Sequence, residues 1–226
     1  MNRPPFVPFN EHRAVRIYIR NLPHWRQDGA TYFVTFRLGD SVPKNVLDQW
    51  EYEKQLWLHA RGVSVTGGDW QSQLHLLPEP DQKQFLKHFN RLFHAALDEG
   101  HGACHLKTDP CLATVRKKLF ENDGHSYHLG DFVVMPNHVH LLLVPTPGTK
   151  LELILKAIKG AAARECNQHL GRSGQLWQPD GYDHIVRTLE ELIHFRQYIR
   201  NNPEKAGLTL PKDALYHAEW MDGWFP

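Results

Sequence analysis

The sequence predicts an α+β fold, a ferredoxin-like sandwich with a central antiparallel sheet and helices on one face. Three observations lead there. A strongly β-forming segment lies near the start, two apolar strand segments follow one another in the middle, and long amphipathic helices fill the intervals. The whole chain of 226 residues, with 41% hydrophobic residues, fits one domain spanning 1–226.

The first strong strand is Ala30 to Leu38, rich in β-branched and aromatic residues and closed by Gly39-Asp40-Ser41. Pro43 opens a helical stretch through Val46, Leu47, Trp50, Leu56 and Trp57, and Gly62 with Thr66-Gly67-Gly68-Asp69 marks a loop. Residues 80–98 form a second helix, because Phe85, Leu86, Phe89, Leu92, Phe93 and Ala96 recur at helical spacing before Gly100 and Gly102. Asp109-Pro110 caps a third, which ends at Asn122-Asp123-Gly124. Residues 44–122 thus read as a helical insertion. The strand segments Ser126–Val134 and Asn137–Val144 are separated only by Met135-Pro136. A helix from Leu151 to His169 buries Leu151, Ile154, Leu155, Ile158, Ala161 and Ala162. After a Gly171–Gly174 joint come a short strand, Tyr182–Val186, and a last helix, Leu189–Asn202, stopped by Pro203. Residues 211–226 form a C-terminal tail.

A mean hydropathy of −0.52 and the absence of a long apolar run exclude a transmembrane helix. Charges and prolines at the start, where a secretory signal needs an apolar stretch, and three cysteines point to a cytoplasmic protein. The net charge of +1 hides a local asymmetry. Residues 1–26 form a basic arm with Arg3, Arg13, Arg16, Arg20 and Arg26 against the single acid Glu11, suited to a phosphate backbone.

The chemistry-bearing signal is Met135-Pro136-Asn137-His138-Val139-His140. In a strand, residues two apart share a face at roughly 6.6 Å. His138 and His140 therefore project together and can clamp one cation through imidazole nitrogens. On the last helix, at 100° per residue, Glu191, His194, Tyr198 and Asn202 share one side, and Leu189, Leu192, Ile193 and Ile199 the other. Tyr198 is a potential nucleophile and Asn202 a potential carbonyl ligand. His101, Cys104, His105 and Cys111 form a rival zinc set, but their spacing fits no ordinary pattern of paired ligands.

The histidine pair, together with Tyr198-Ile199-Arg200-Asn201-Asn202-Pro203-Glu204-Lys205-Ala206-Gly207-Leu208, resembles the single-tyrosine HUH transposase superfamily, and within it the REP-associated tyrosine transposases. Leu22 to Leu38 and Leu176 to Arg187 add to the likeness, which covers about residues 20–210. The resemblance implies a metal-dependent endonuclease and strand transferase that cleaves single-stranded DNA at the foot of palindromic hairpins through a 5′-phosphotyrosine link. It implies Tyr198 as nucleophile and Mg²⁺ or Mn²⁺ held by His138, His140 and, from the tyrosine helix, Asn202. Trp25, Arg26, Arg37, Lys159, Arg164 and Arg187 are the DNA-binding candidates, flat rings for unstacked bases and cations for phosphates.

Two other functions fit parts of the pattern. One is a sequence-specific hairpin-binding protein that no longer moves DNA. The other is an unrelated His-x-His metal hydrolase, which would need further ligands on other strands and, as a barrel, eight βα units. The helices of 44–122 and the tail, with Trp220 and Trp224, could cover a dimer surface, which tilts the expectation to a monomer over a homodimer. The expected partner is single-stranded or hairpin DNA, with no membrane, at the nucleoid.

Overall fold

The computed structural model describes residues 3–14, 16–19, 23–64 and 70–225, with the side chains of 16–19, 23 and 24 left aside. Arg20 and the Thr66–Asp69 loop lie outside the described residues, as does the side chain of Arg16. Two short strands, β1 (Arg16–Ile19) and β2 (Pro23–Arg26), pair as an antiparallel hairpin. The main sheet has five strands: β3 (Tyr32–Arg37), β4 (Tyr127–Val134), β5 (His138–Pro145), β6 (Tyr182–Ile185) and β7 (Leu215–Tyr216). Their order is β6-β3-β5-β4-β7, and every pairing is antiparallel.

Helices α1 (Lys44–His59), α2 (Trp70–Leu76) and α3 (Glu79–Asp98) follow β3, and α4 (Asp109–Phe120) precedes β4. Helix α5 (Leu151–His169) joins β5 to β6, and α6 (Leu189–Lys205) follows β6. With α1–α3 set aside, the path β3-α4-β4-β5-α5-β6 is the split β-α-β arrangement of the ferredoxin-like sandwich.

The expectation that helices cover one face is corrected. On one face Tyr32, Val34 and Phe36 join Val139, Leu141 and Leu143 beneath α4 (Val115, Leu119) and α5 (Ile154, Ile158). On the other, Phe33, Val133 and Leu142 pack against Leu192 and Ile199 of α6 and against Met221. The reason lies in β5, all eight residues of which are buried. A strand with no polar side needs cover on both. Helices α1–α3 hold two small apolar clusters of their own, one around Leu58, Trp70 and Phe85 and one around Val42, Ala96 and Leu97, whereas α4 belongs to the main core.

Helix α6 also runs past Pro203, where a stop was expected. Pro203 cannot donate to the carbonyl one turn back, but the Ala206 amide still reaches the Asn202 carbonyl at 3.0 Å, and the helix ends before Gly207, at φ 66°. A buried pair anchors this helix. The Arg196 guanidinium donates to Asp131 at 2.9 and 3.2 Å, with side-chain exposures of 8% and 4%. Asp131 sits in a register shift of β4 between Leu129 and Phe132, which turns it toward α6. Among the described residues no helix is long and apolar enough to cross a membrane.

Candidate active site

Strand β5 lies between β3 and β4, so its residues are placed by ladders on both sides. Thr35 pairs with His140 and Arg37 with His138 in the β3–β5 register. Both histidines are fully buried, and their Nε2 atoms stand 3.0 Å apart. Each ring is fixed from behind. The Asn137 amide nitrogen donates to the His101 carbonyl at 3.0 Å, which turns its Oδ1 to His138 Nδ1 at 2.7 Å. An amide oxygen only accepts, so His138 carries its proton on Nδ1 and its Nε2 is a bare lone pair. His140 then donates from Nε2 to His138, while its Nδ1 meets the Thr35 hydroxyl at 2.7 Å. A hydroxyl can donate or accept, so Thr35 supports either tautomer of His140.

Helix α6 brings Tyr198 and Asn202 to the same place. The Tyr198 ring stands edge-on to His140, with centroids 5.1 Å apart, and Asn202 is 1% exposed. The expected division of α6 into a polar and an apolar side is corrected on this point: Tyr198 and Asn202 turn inward with Leu192 and Ile199, while Ile193 is 40% exposed. Arg196 explains the shift, because its pairing with Asp131 rotates that side of the helix onto the sheet.

Helix α3 supplies two residues that sequence reasoning missed. His94 packs against His140 at 5.5 Å and Tyr198 at 5.6 Å. Asp98 accepts from the Asn202 amide nitrogen at 3.0 Å and from Lys205 at 2.8 Å. His94 and Asp98 are four apart on one helical face. That spacing was visible in the sequence beneath the apolar stripe that defined the helix.

Burial dominates the electrostatics. It lowers His94 to about 4 and His138 to about 3, and it holds His140 well below the ordinary histidine range, with neighbouring histidines adding to the effect at His138 and His140. Burial likewise pushes the Tyr198 phenol up, reinforced by Asp98. The imidazoles are therefore neutral, as cation ligands must be. Three buried polar atoms here have no hydrogen-bonding partner: His94 Nδ1, Tyr198 Oη and Asn202 Oδ1. Such atoms are rare in native interiors, and three of them surround one histidine pair.

Among the described residues no group of three or more His, Cys, Asp or Glu side chains has the geometry of a metal site. The rival zinc set does not converge: His101 bonds Glu99, His105 bonds Arg172, and Cys111 is buried beside Cys166 between α4 and α5. A cation at the histidine pair would have two imidazole nitrogens and the orphaned Asn202 oxygen, a set that fits a divalent ion.

The residues expected to hold DNA are spread over the molecule. Arg26 is 5% exposed, bonding Glu152 at 2.6 Å and Asp183 at 2.6 and 3.0 Å. Arg37 is equally buried, donates to the Ser41 hydroxyl at 3.0 Å and lies over Phe93. Lys159 donates to the carbonyls of Gln178 and Pro179. Arg164 and Arg187 are exposed. Arg187 stands over Phe9 and Trp25, at 5.7 and 5.9 Å from their rings, at the rim of a cavity of about 240 Å³ lined also by Lys83, Asn90 and Tyr182. Tyr182 connects it to the histidines, since His94 packs edge-on to it at 5.2 Å.

The segment from the start of α4 to Asn202 contains the histidine pair, the tyrosine and the asparagine. Residues 108–202 match the IS200-like transposase family. Among solved structures the chain is similar to a REP-associated tyrosine transposase bound to a REP hairpin, at 16% identity over 85% of this chain and 74% of that one, with a TM-score of 0.42. It is also similar to a protein of Deinococcus radiodurans R1 assigned to the transposases, at 20% identity over 86% of this chain and 98% of that one, with a TM-score of 0.33. No curated protein matches the chain.

Proposed function

We propose that the protein is a divalent-cation-dependent, single-tyrosine DNA nuclease and strand transferase acting on single-stranded DNA at the foot of a hairpin. One observation carries this reading: two neutral imidazoles with converging Nε2 atoms, a tyrosine hydroxyl without a partner and an amide oxygen without a partner meet at one buried point of a single chain. The match to IS200-like transposases agrees with it, and the hairpin held by the REP-associated relative suggests the form of the DNA.

His138, His140 and Asn202 would hold the cation, Mg²⁺ or Mn²⁺, which supplies charge withdrawal from a phosphate. Two nitrogen donors favour Mn²⁺ of the two. Tyr198 is the nucleophile. Its phenolic oxygen bonds to phosphorus as the phosphorus–O3′ bond breaks, the phenol gives up its proton, and the departing 3′ oxygen takes one. Reversal by another 3′ hydroxyl joins strands. The cavity rimmed by Trp25, Phe9 and Arg187 offers rings and a cation to an unstacked base, and exposed Arg164 offers charge to a phosphate. Arg26, Arg37 and Lys159, already bonded within the chain, would act on DNA by holding this framework.

The test is incubation with Mn²⁺ and a labelled library of single-stranded hairpins, followed by a denaturing gel and mass analysis. A covalent protein–DNA adduct that disappears in Tyr198→Phe is expected. Hairpin binding without an adduct would instead make the protein a DNA-binding module, and an unrelated hydrolase would keep its activity in Tyr198→Phe.

A further inference from the structure

We propose that Asp98 is a positioning residue that fixes which end of the Asn202 side chain faces the histidines. The inference rests on the reading that the Asn202 oxygen belongs to the cation's donor set. An asparagine amide is nearly symmetric in shape, so packing alone does not decide whether its oxygen or its nitrogen points into a site. Asp98 decides it by chemistry. An ionised carboxylate accepts and cannot donate, so it bonds only the amide nitrogen, here at 3.0 Å. The Asn202 oxygen is thereby turned away from Asp98 and left buried without a partner.

Lys205 donates to the second Asp98 oxygen at 2.8 Å, so both oxygens of this carboxylate, whose side chain is 12% exposed, are hydrogen-bonded to α6. The two residues that Asp98 bonds lie three apart on α6, whereas Asp98 itself ends α3. Helix α3 therefore acts on the site through one carboxylate, in the way that outer partners orient ligands at metal centres.

The experiment measures Mn²⁺ affinity of the full chain by calorimetry, with thermal melting without metal as a check on folding. Asp98→Asn keeps the shape but can donate to the Asn202 oxygen and turn it over. We expect Asp98→Asn and Asn202→Ala each to weaken Mn²⁺ binding by about 10–100-fold. The double variant should be no weaker than Asn202→Ala alone, because Asp98 acts only through Asn202. Multiplying losses in the double variant, or an unchanged affinity in Asp98→Asn, would overturn the proposal. Should Asp98→Asn fail to fold, Lys205→Met decides: it breaks the ion pair but leaves the Asn202 bond, so affinity within about threefold of wild type is expected for an orienting carboxylate. A loss as large as that of Asn202→Ala would mean that the α3–α6 tie is only structural. If His138→Ala and Asn202→Ala both leave Mn²⁺ binding intact, the cation reading itself fails, whatever Asp98 does.

Discussion

Tyr198→Phe should make the protein more stable while abolishing its covalent chemistry. The phenol oxygen is buried without a partner in the chain, and a buried hydroxyl in that state costs about 1–3 kcal/mol. Phenylalanine keeps the ring contacts, edge-on with Phe33 at 5.9 Å, His94 at 5.6 Å and His140 at 5.1 Å. The gain should therefore approach the full cost, with about 2–4 °C in melting temperature for each kcal/mol in a chain of this size. Urea unfolding and calorimetry of wild type and variant, both free of metal and DNA, measure it. A packing tyrosine would give a neutral or negative change. A melting temperature that falls in the variant would refute the reasoning, because it would mean that the hydroxyl is satisfied in the folded protein and is not held in reserve for a phosphate.

Three more outcomes follow from the same geometry. Thr35→Val removes the hydroxyl behind His140, and Mn²⁺ affinity measured by calorimetry should fall by about 10–100-fold without loss of the fold. Acid should destabilise the protein early. His94 and His138 stay neutral in the folded state down to about 4 and about 3, while unfolded histidines take up protons below about 6.5, so stability is full above that pH and falls on the way down. Each contributes up to about 1.4 kcal/mol per pH unit, and urea midpoints of His94→Gln between pH 6.5 and pH 4.5 should show a shallower decline than wild type. Finally, truncating Arg196 to Ala should cost about 3–5 kcal/mol in urea unfolding, by leaving Asp131 buried and unpaired; a cost below about 1 kcal/mol would show that β4 does not hold α6 through this pair.

The sheet and its helices were legible because their signals are local. Leu151–His169 appears at the expected bounds, β3 and β4 fall within the strand segments read from alternation and apolar runs, and β5 starts one residue after its expected segment and ends one residue beyond it. The histidine pair was legible for the same reason, as two residues on one strand. Long-range pairing was not. Nothing near Asp131 or Arg196 in the sequence says that they meet, yet that ion pair sets the rotation of α6 and turns Tyr198 and Asn202 inward. The apolar stripe of α3 likewise revealed the helix but not that His94 and Asp98 reach a site whose ligands begin forty residues later in the chain. The short strand β7 exists through its pairing with β4, for which it carries no pattern of its own.

The stretch that matches IS200-like transposases holds every residue assigned to the chemistry but begins after β3 and α3. A protein trimmed to that stretch would leave one edge of β5 bare, with its backbone donors and acceptors open to any passing strand. The trimmed protein would thus be a template for aggregation before it could be an enzyme. The smallest portable unit extends at least from Thr31 through the tail, because β5 is flanked by β3 on one side and by β4, itself edged by β7, on the other.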